Sequence, residues 1–170
     1  MTEDTVHGWF VGRIPDGWFS GAPEITGDKE ELMVVGSLPD VEVTTDSEDA
    51  RREARLARID RFREESRRDR MRIAAEAERR FRRKISWGAA CGGERRLFTT
   101  LSTPMMTRLR LPERAVLDTL VDAGVARSRS DALGWCVKLV ANKQGEWLKN
   151  LREALTEVEK VRGEGPGASA

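Results

Sequence analysis

The sequence has few of the side chains that most often bind metals or act as nucleophiles. Its 170 residues include 2 cysteines and 1 histidine. Because zinc and non-haem iron sites are built from several such ligands, the sequence predicts no metal site. Cys91 and Cys136 fit a reducing compartment better than a disulfide framework. Cys91 has no second thiol or histidine near it in the sequence, so we interpret it as an inert thiol.

Long apolar runs are also missing. No apolar stretch approaches the roughly 20 residues that a membrane-spanning helix needs, and the N-terminus lacks the basic and then apolar pattern of a signal peptide. We therefore expect a cytoplasmic protein that does not contact a membrane. The sequence contains neither a Walker-type glycine loop nor a paired general acid and base, so we expect no enzymatic activity and no cofactor.

Charge, by contrast, is abundant and unevenly distributed. Charged residues make up 35% of the sequence, above the usual fraction for a globular domain, which indicates helix with little burial. The net charge of +1 combines −10 over residues 1–50, +8 over residues 51–84, +4 over residues 85–143 and −1 over the rest. A basic middle segment attracts phosphate groups, and an acidic head either repels them or folds back on the basic part. Nucleic acid is therefore a candidate partner.

Residues 1–44 are predicted to form a small acidic β module. The stretch "PEITGDKEELMVVGSLP" indicates two short strands around a polar link, closed by Pro39. Before it, Gly-Trp-Phe occurs twice, separated by the turn-forming "IPDG". The aromatic residues either form a miniature core or dock a protein partner. They are Trp9, Phe10, Trp18 and Phe19.

Residues 45–86 are predicted to form one long charged helix, since no glycine or proline occurs before Lys84. A capping box is expected at residues 45–48. The apolar positions are too sparse for a coiled coil. The helix is therefore either solvated and held by ion pairs between successive turns, or a basic surface for nucleic acid. The Gly-rich residues 87–104 are predicted to be a linker.

The stretch "TRLRLPERAVLDTLVDAGVARSRSDAL" has the most informative pattern. "TRLRLP" alternates like a strand, with Thr107, Leu109 and Leu111 on one face and Arg108 and Arg110 on the other. "ERAVLDTLVDAG" predicts an amphipathic helix that stops at a glycine. A second helix is opened by the capping box of residues 128–131.

In this order, the strand, proline, helix, glycine turn and capped helix resemble a ribbon-helix-helix domain, the Arc/MetJ-like DNA-binding fold, over residues 105–141. The resemblance implies a homodimer, because two chains must pair their strands, and a ribbon that enters the major groove. It implies that arginines of the ribbon read base edges and that the second helix begins at a phosphate. The residues assigned to DNA contact are Met106, Arg108, Arg110, Ser128, Arg129 and Ser130.

The rest of the C-terminal region is predicted to be an amphipathic helix over residues 142–162 and a disordered tail over residues 163–170. The helix either braces the dimer or binds a groove on a partner. The layout of the whole chain is similar to an uncharacterised actinobacterial family, a resemblance that supplies no activity.

Together these patterns predict a mainly α fold: a ribbon-helix-helix dimer module with a long charged helix and a small N-terminal β module. The predicted function is a homodimeric DNA-binding regulator, either transcriptional or nucleoid-associated. The alternative is an interaction protein without enzymatic activity. In that case the ribbon only dimerises, and the terminal modules or the basic helix recruit a protein or RNA partner.

Overall fold

Two structural units divide the chain, one over residues 1–105 and one over residues 106–170. The computed structural model describes residues 3–44 and 47–164. The N-terminal unit contains the helices α1 (Glu3–Arg13), α2 (Glu48–Glu65) and α3 (Arg67–Phe81) and the strands β1 (Glu24–Gly27), β2 (Glu31–Ser37), β3 (Lys84–Cys91) and β4 (Glu94–Leu97). The C-terminal unit contains α4 (Leu111–Asp122), α5 (Arg129–Lys143) and α6 (Gly145–Gly163).

The sheet of the N-terminal unit has the strand order β1-β2-β3-β4. β1 and β4 pair antiparallel with their neighbours, whereas β2 and β3 pair parallel, with Val34 opposite Trp87 in the register. Parallel neighbours need a crossover connection, and α2 and α3 supply it. Residues 85–89 of β3 are all buried, so this strand lies at the centre of the unit.

Two groups of buried side chains form the core of this unit. The first joins α1 and α3 to the sheet and consists of Val6, Phe10, Leu32, Val34, Ile73, Ala77, Phe81, Ile85 and Trp87. The second joins α2 to the sheet and consists of Leu38, Ile59, Phe62, Ala89 and Cys91. Both helices of the crossover therefore bury apolar side chains, although their other faces are highly charged.

The predicted mainly α fold with a ribbon-helix-helix dimer module is wrong, because a four-stranded mixed sheet organises more than half of the chain. The strands predicted around the polar link exist as β1 and β2, but they belong to this larger sheet, and residues 8–10 lie in α1. The predicted linker, residues 87–104, contains most of β3 and all of β4. "ISWGAAC" is a mostly apolar run of the kind found in strands covered on both faces, and the glycines within and after it are typical of a turn.

The predicted long helix is interrupted at Ser66, between α2 and α3. The hydroxyl of Ser66 donates to the carbonyl oxygen of Phe62, and it accepts a hydrogen bond from Nε of Arg70 at 2.9 Å. A serine that bonds to the carbonyl four residues earlier bends a helix. The prediction of one continuous helix over residues 45–86 is therefore wrong, since the break comes from a buried serine rather than from a glycine or a proline.

The two helices predicted after residue 110 are confirmed. Pro112 lies in the first turn of α4, and Gly124 follows the helix with a φ of +73°, a conformation that favours glycine. Ser128 caps α5 by accepting a hydrogen bond from the backbone N–H of Asp131 at 3.2 Å. Among the described residues of this unit, the buried cluster consists of Leu117, Ala126 and Ala132.

The ribbon strand before α4 is not formed. Residues 99–110 contain neither helix nor strand, and the C-terminal unit, as far as residue 164, contains no strand that could pair with them. Of the side chains predicted to face inward, Leu109 packs on the helices, whereas Thr107 and Leu111 are exposed. The alternation of arginine and leucine therefore belongs to an extended segment in which Leu109 is the anchored side chain.

Two predicted features fall partly on residues outside the described ranges. Residues 45–46 of the expected capping box lie there, and α2 is instead capped by Ser47, which accepts a backbone N–H of the first turn at 3.3 Å. Residues 165–170 of the predicted tail also lie there, and Gly163 is the last residue of α6.

The close packing of Phe19 on β2 gives a test of the fold. A Cβ added at Gly36 would lie 2.2 Å from ring atoms of Phe19. We predict that Gly36→Ala destabilises the protein by about 1–3 kcal/mol, because the ring must shift out of a packed core. The exposed Gly8 of α1 has no atom near its added Cβ, so Gly8→Ala should stabilise by about 0.5–1 kcal/mol. Urea unfolding followed by circular dichroism measures both changes, and equal stability of Gly36→Ala and the wild type would contradict this packing.

Candidate functional site

The predicted DNA-contacting residues that precede α4 lie on the surface of an extended segment. The side chains of Met106, Arg108 and Arg110 are exposed. Arg110 has φ −82° and ψ 174°, which is extended backbone. Within the described residues, no hydrogen bond or ion pair engages the guanidinium group of either arginine. These two positive charges are therefore available to an external anion.

The predicted residues at the start of α5 are brought together, but they already have partners in the chain. The hydroxyl of Ser128 is the cap of the helix. Arg129 donates two hydrogen bonds to Asp118, from Nε at 2.6 Å and from Nη2 at 2.7 Å. The hydrogen bonds from this guanidinium lower the pKa of the Asp118 carboxyl below its usual value. A phosphate at Arg129 must therefore compete with the charged carboxylate of Asp118. The third predicted residue, Ser130, is exposed.

The four aromatic residues considered for partner docking pack inside the N-terminal unit: they are Trp9, Phe10, Trp18 and Phe19. Trp9 meets Phe81 edge to face, with ring centroids 5.4 Å apart. Trp18 meets Phe62 in the same manner at 5.3 Å. Of the two alternatives, the packing agrees with the miniature core, extended here into the core of the whole unit.

A cleft of about 840 Å³ opens beside the bend between α2 and α3. Arg70 lies in its wall and is 6% exposed. Its Nη2 donates to the carbonyl oxygen of Arg63 at 2.6 Å, and its guanidinium carbon lies 4.7 Å from the ring centroid of Phe98. Phe98, which follows β4, thus supplies an aromatic wall of the cleft, and Arg70, which follows the bend, supplies a buried cation.

The charges that line this cleft are predominantly positive. Arg63, Arg67 and Arg96 join Arg70, against the two carboxylates of Asp60 and Glu64, so the formal charge of the lining is +2. Arg96 is neutralised by Asp60, with Nη1 2.7 Å from Oδ2. The other three arginines make no ion pair with a carboxylate within the described ranges. We call this cleft the arginine cleft. It is lined by nine residues: Asp60, Arg63, Glu64, Arg67, Arg70, Met71, Arg96, Phe98 and Thr99.

Sequence reasoning missed the arginine cleft because it placed Arg63, Arg67 and Arg70 on one continuous helix, either solvated or a basic surface for nucleic acid, and Arg96 in a linker. The stretch "REESRRDR" separates two apolar patches and contains no apolar residue. A stretch of about two turns without an apolar residue indicates that the helix no longer packs on the sheet there, which is the signal that could have revealed the bend. The second half of the site, Phe98, comes from the region predicted to be a linker, and its approach to α3 depends on the sheet.

Comparison with known proteins assigns both halves of the chain. Residues 4–97 match the family described as Rv1265-like protein, N-terminal domain, and residues 110–162 match the Mb1296 C-terminal domain. The chain belongs to the Rv1265-like family. It is 53% identical over 162 residues to "Uncharacterized protein Rv1265" of Mycobacterium tuberculosis (strain ATCC 25618 / H37Rv), covering 95% of this chain and 70% of the relative. "Uncharacterized protein Mb1296" of Mycobacterium bovis is similar to the same extent.

The family boundaries coincide with the structural ones. In this Rv1265-like chain, the N-terminal match ends with β4 and the C-terminal match begins one residue before α4. Residues 98–109 fall between the two matches and include Phe98 and Arg108. No solved structure matches the chain. The arginine cleft therefore lies almost wholly within the N-terminal family domain.

Two further searches concern the described residues alone. None of their helices has both the length and the apolar composition that crossing a bilayer requires. Residues 3–44 and 47–164 also contain no group of three or more histidine, cysteine, aspartate or glutamate side chains arranged to hold a metal ion.

Cys91 is held in a setting that favours the neutral thiol. Its Sγ lies 3.6 Å from the carbonyl oxygen of Pro39 and 3.7 Å from Oδ1 of Asp40. Burial raises the pKa of this thiol, and the negative charge of Asp40 raises it further. Since the thiolate is the reactive form, the side chain is a poor nucleophile at neutral pH.

We predict that iodoacetamide modifies Cys91 much more slowly than the half-buried Cys136 when the native protein is labelled at neutral pH. Mass spectrometry of the digested protein measures the two rates. In denaturant the two cysteines should react at similar rates, which provides the control. Rapid labelling of native Cys91 would contradict both its burial and the direction of its pKa.

Proposed function

We propose that this chain is a homodimeric DNA-binding regulator, transcriptional or nucleoid-associated, in which the C-terminal unit provides the DNA contact and the dimer contact. The observation that carries the proposal is the pair Arg108 and Arg110, which are exposed, lie two positions apart on an extended segment and have no side-chain partner among the described residues. Other exposed arginines, such as Arg95 and Arg96, are engaged by carboxylates. Arginines left free of internal partners favour an external anion.

An extended segment that carries arginines suits DNA without a ribbon. Extended protein arms lie in the minor groove, where arginine is attracted to the negative potential of narrow A·T-rich stretches. Phosphate contacts from the same side chains position the protein on the duplex. Leu109, which packs on the helices between the two arginines, fixes the segment at the start of α4.

The support for a homodimer is the apolar surface of the C-terminal unit. As far as residue 164, the described side chains of the unit include three buried apolar residues, a core too small to stabilise a domain of this length comfortably. On α6, a stripe of large apolar side chains is 41–61% exposed: Trp147, Leu151, Leu155 and Val158. Contiguous exposed apolar surface marks an interaction site, and a second copy of the same stripe is a partner of matching chemistry.

The DNA contact is tested with Arg108→Ala/Arg110→Ala. We expect this variant to lose about tenfold or more in affinity, and its salt dependence should weaken because about two phosphate contacts are lost. Thermal stability should not change, since both side chains are exposed. The measurements are fluorescence anisotropy on a duplex at two salt concentrations and a selection on random duplexes.

The matched control is Lys138→Ala/Arg152→Ala, which removes the same charge from exposed positions of α5 and α6. It should keep the selected motif and most of the affinity. If the double arginine variant binds DNA as the wild type does, Arg108 and Arg110 are not the DNA contact; a wild type that binds no duplex would favour the interaction protein instead.

The dimer is tested with Leu151→Glu. A charge in the middle of an apolar interface has no partner, so we expect dissociation to a monomer at micromolar concentration. Thr156→Glu adds the same charge on the polar side of α6 and should leave the dimer intact. Sedimentation velocity distinguishes the species, and a monomeric wild type would remove the proposal of a homodimer.

A further inference from the structure

A buried guanidinium without a carboxylate is the feature of the N-terminal unit that most needs an explanation. Burying a charge costs free energy unless the charge is paired. Arg70 is 6% exposed, and its hydrogen bonds go to the hydroxyl of Ser66 and the carbonyl of Arg63, which are neutral groups. The ring of Phe98 adds a cation–π contact. None of these partners neutralises the charge.

The surroundings of Arg70 increase this imbalance. Burial lowers the pKa of Arg70, and the positive charges of Arg63 and Arg67 add to this effect. Together they bring the pKa to about 10. The side chain nevertheless remains protonated at neutral pH. The C-terminal end of α2 offsets about half an elementary charge at most. An anion in the arginine cleft would complete the compensation.

The shape of the arginine cleft selects a small anion over a polymer. Its volume of about 840 Å³ lies in the range of small-molecule sites. Arg70 is too deeply buried to reach the backbone of a duplex, and the carboxylates of Asp60 and Glu64 repel an extended polyanion. Met71 and Phe98 add apolar surface for the uncharged part of a ligand.

We propose that the arginine cleft binds a small phosphate monoester, with the phosphate group held by Arg63, Arg67 and Arg70 and the organic group against Phe98 and Met71. The dianionic phosphate matches the formal charge of +2 on the lining. Guanidinium groups bind phosphate oxygens through paired, charge-assisted hydrogen bonds. This site lies in the N-terminal unit and does not depend on the proposed DNA contact.

The test uses the full chain and phenyl phosphate as the probe in isothermal titration calorimetry. Loss of one charge-assisted contact should weaken binding by about tenfold or more, so Arg67→Ala and Arg63→Ala should each show this loss. Arg68→Ala is the matched control, because it removes an equally exposed arginine one residue away that does not line the cleft. It should bind as the wild type does. Phenol, which lacks the phosphate, should not bind.

A second readout follows Arg70 directly, since its substitution risks unfolding the bend. Its Nε–H is buried and hydrogen-bonded, so its ¹⁵N resonance should be observable and should shift on saturation with phenyl phosphate. Assignment uses Arg70→Lys if that variant folds, or the effect of Ser66→Ala otherwise. Absence of binding by the wild type, or an equal loss in Arg68→Ala, would overturn the proposal. Displacement of the probe by a DNA duplex would overturn it as well, because the cleft would then be part of a polymer surface.

Discussion

The parallel pairing of β2 with β3 is the constraint on which the N-terminal unit depends. Parallel neighbours cannot be joined by a tight turn, so the chain must leave the sheet, cross it and return. The segment that does so is rich in arginine and has few apolar residues. Most of its apolar side chains are therefore used against the sheet, where α2 contacts β3 and β4 and α3 contacts β3, whereas Met71 is exposed at the arginine cleft. The remaining charges face solvent or the arginine cleft.

The bend in this crossover creates polar groups that need partners. The last carbonyl oxygens of a helix have no partner within it. At the end of α2, Ser66 satisfies the carbonyl of Phe62, and Arg70 satisfies that of Arg63. A cation is also favoured at this end of a helix by its dipole. Arg70 therefore has a structural role at the bend in addition to its place in the arginine cleft. The bend turns the side chain of Arg70 inward, toward the cleft.

Local signals in the sequence predict the elements that depend on local chemistry. Pro112, Gly124 and the cap at Ser128 place α4 and α5 correctly, because each acts on its own turn of backbone. β3 was not predictable in this way. Its burial depends on β2 and the helices, which are distant in sequence, as well as on β4, where the carbonyl oxygen of Arg96 lies within 2.9 Å of a Cβ added at Gly88. The candidate site shows the same division: Arg108 and Arg110 stand out in the sequence, whereas the arginine cleft requires the sheet.

The opposite charges of the first 50 residues and the basic middle are partly reconciled by the fold. Nη2 of Arg55 lies 2.9 Å from Oδ2 of Asp40. The hydrogen bond from this guanidinium lowers the pKa of the Asp40 carboxyl to about 2. Glu24 pairs with Arg95 at 2.9 Å. The acidic head therefore folds back on part of the basic segment. In the arginine cleft, Arg63, Arg67 and Arg70 pair with no carboxylate of the described residues, so an external anion is favoured there.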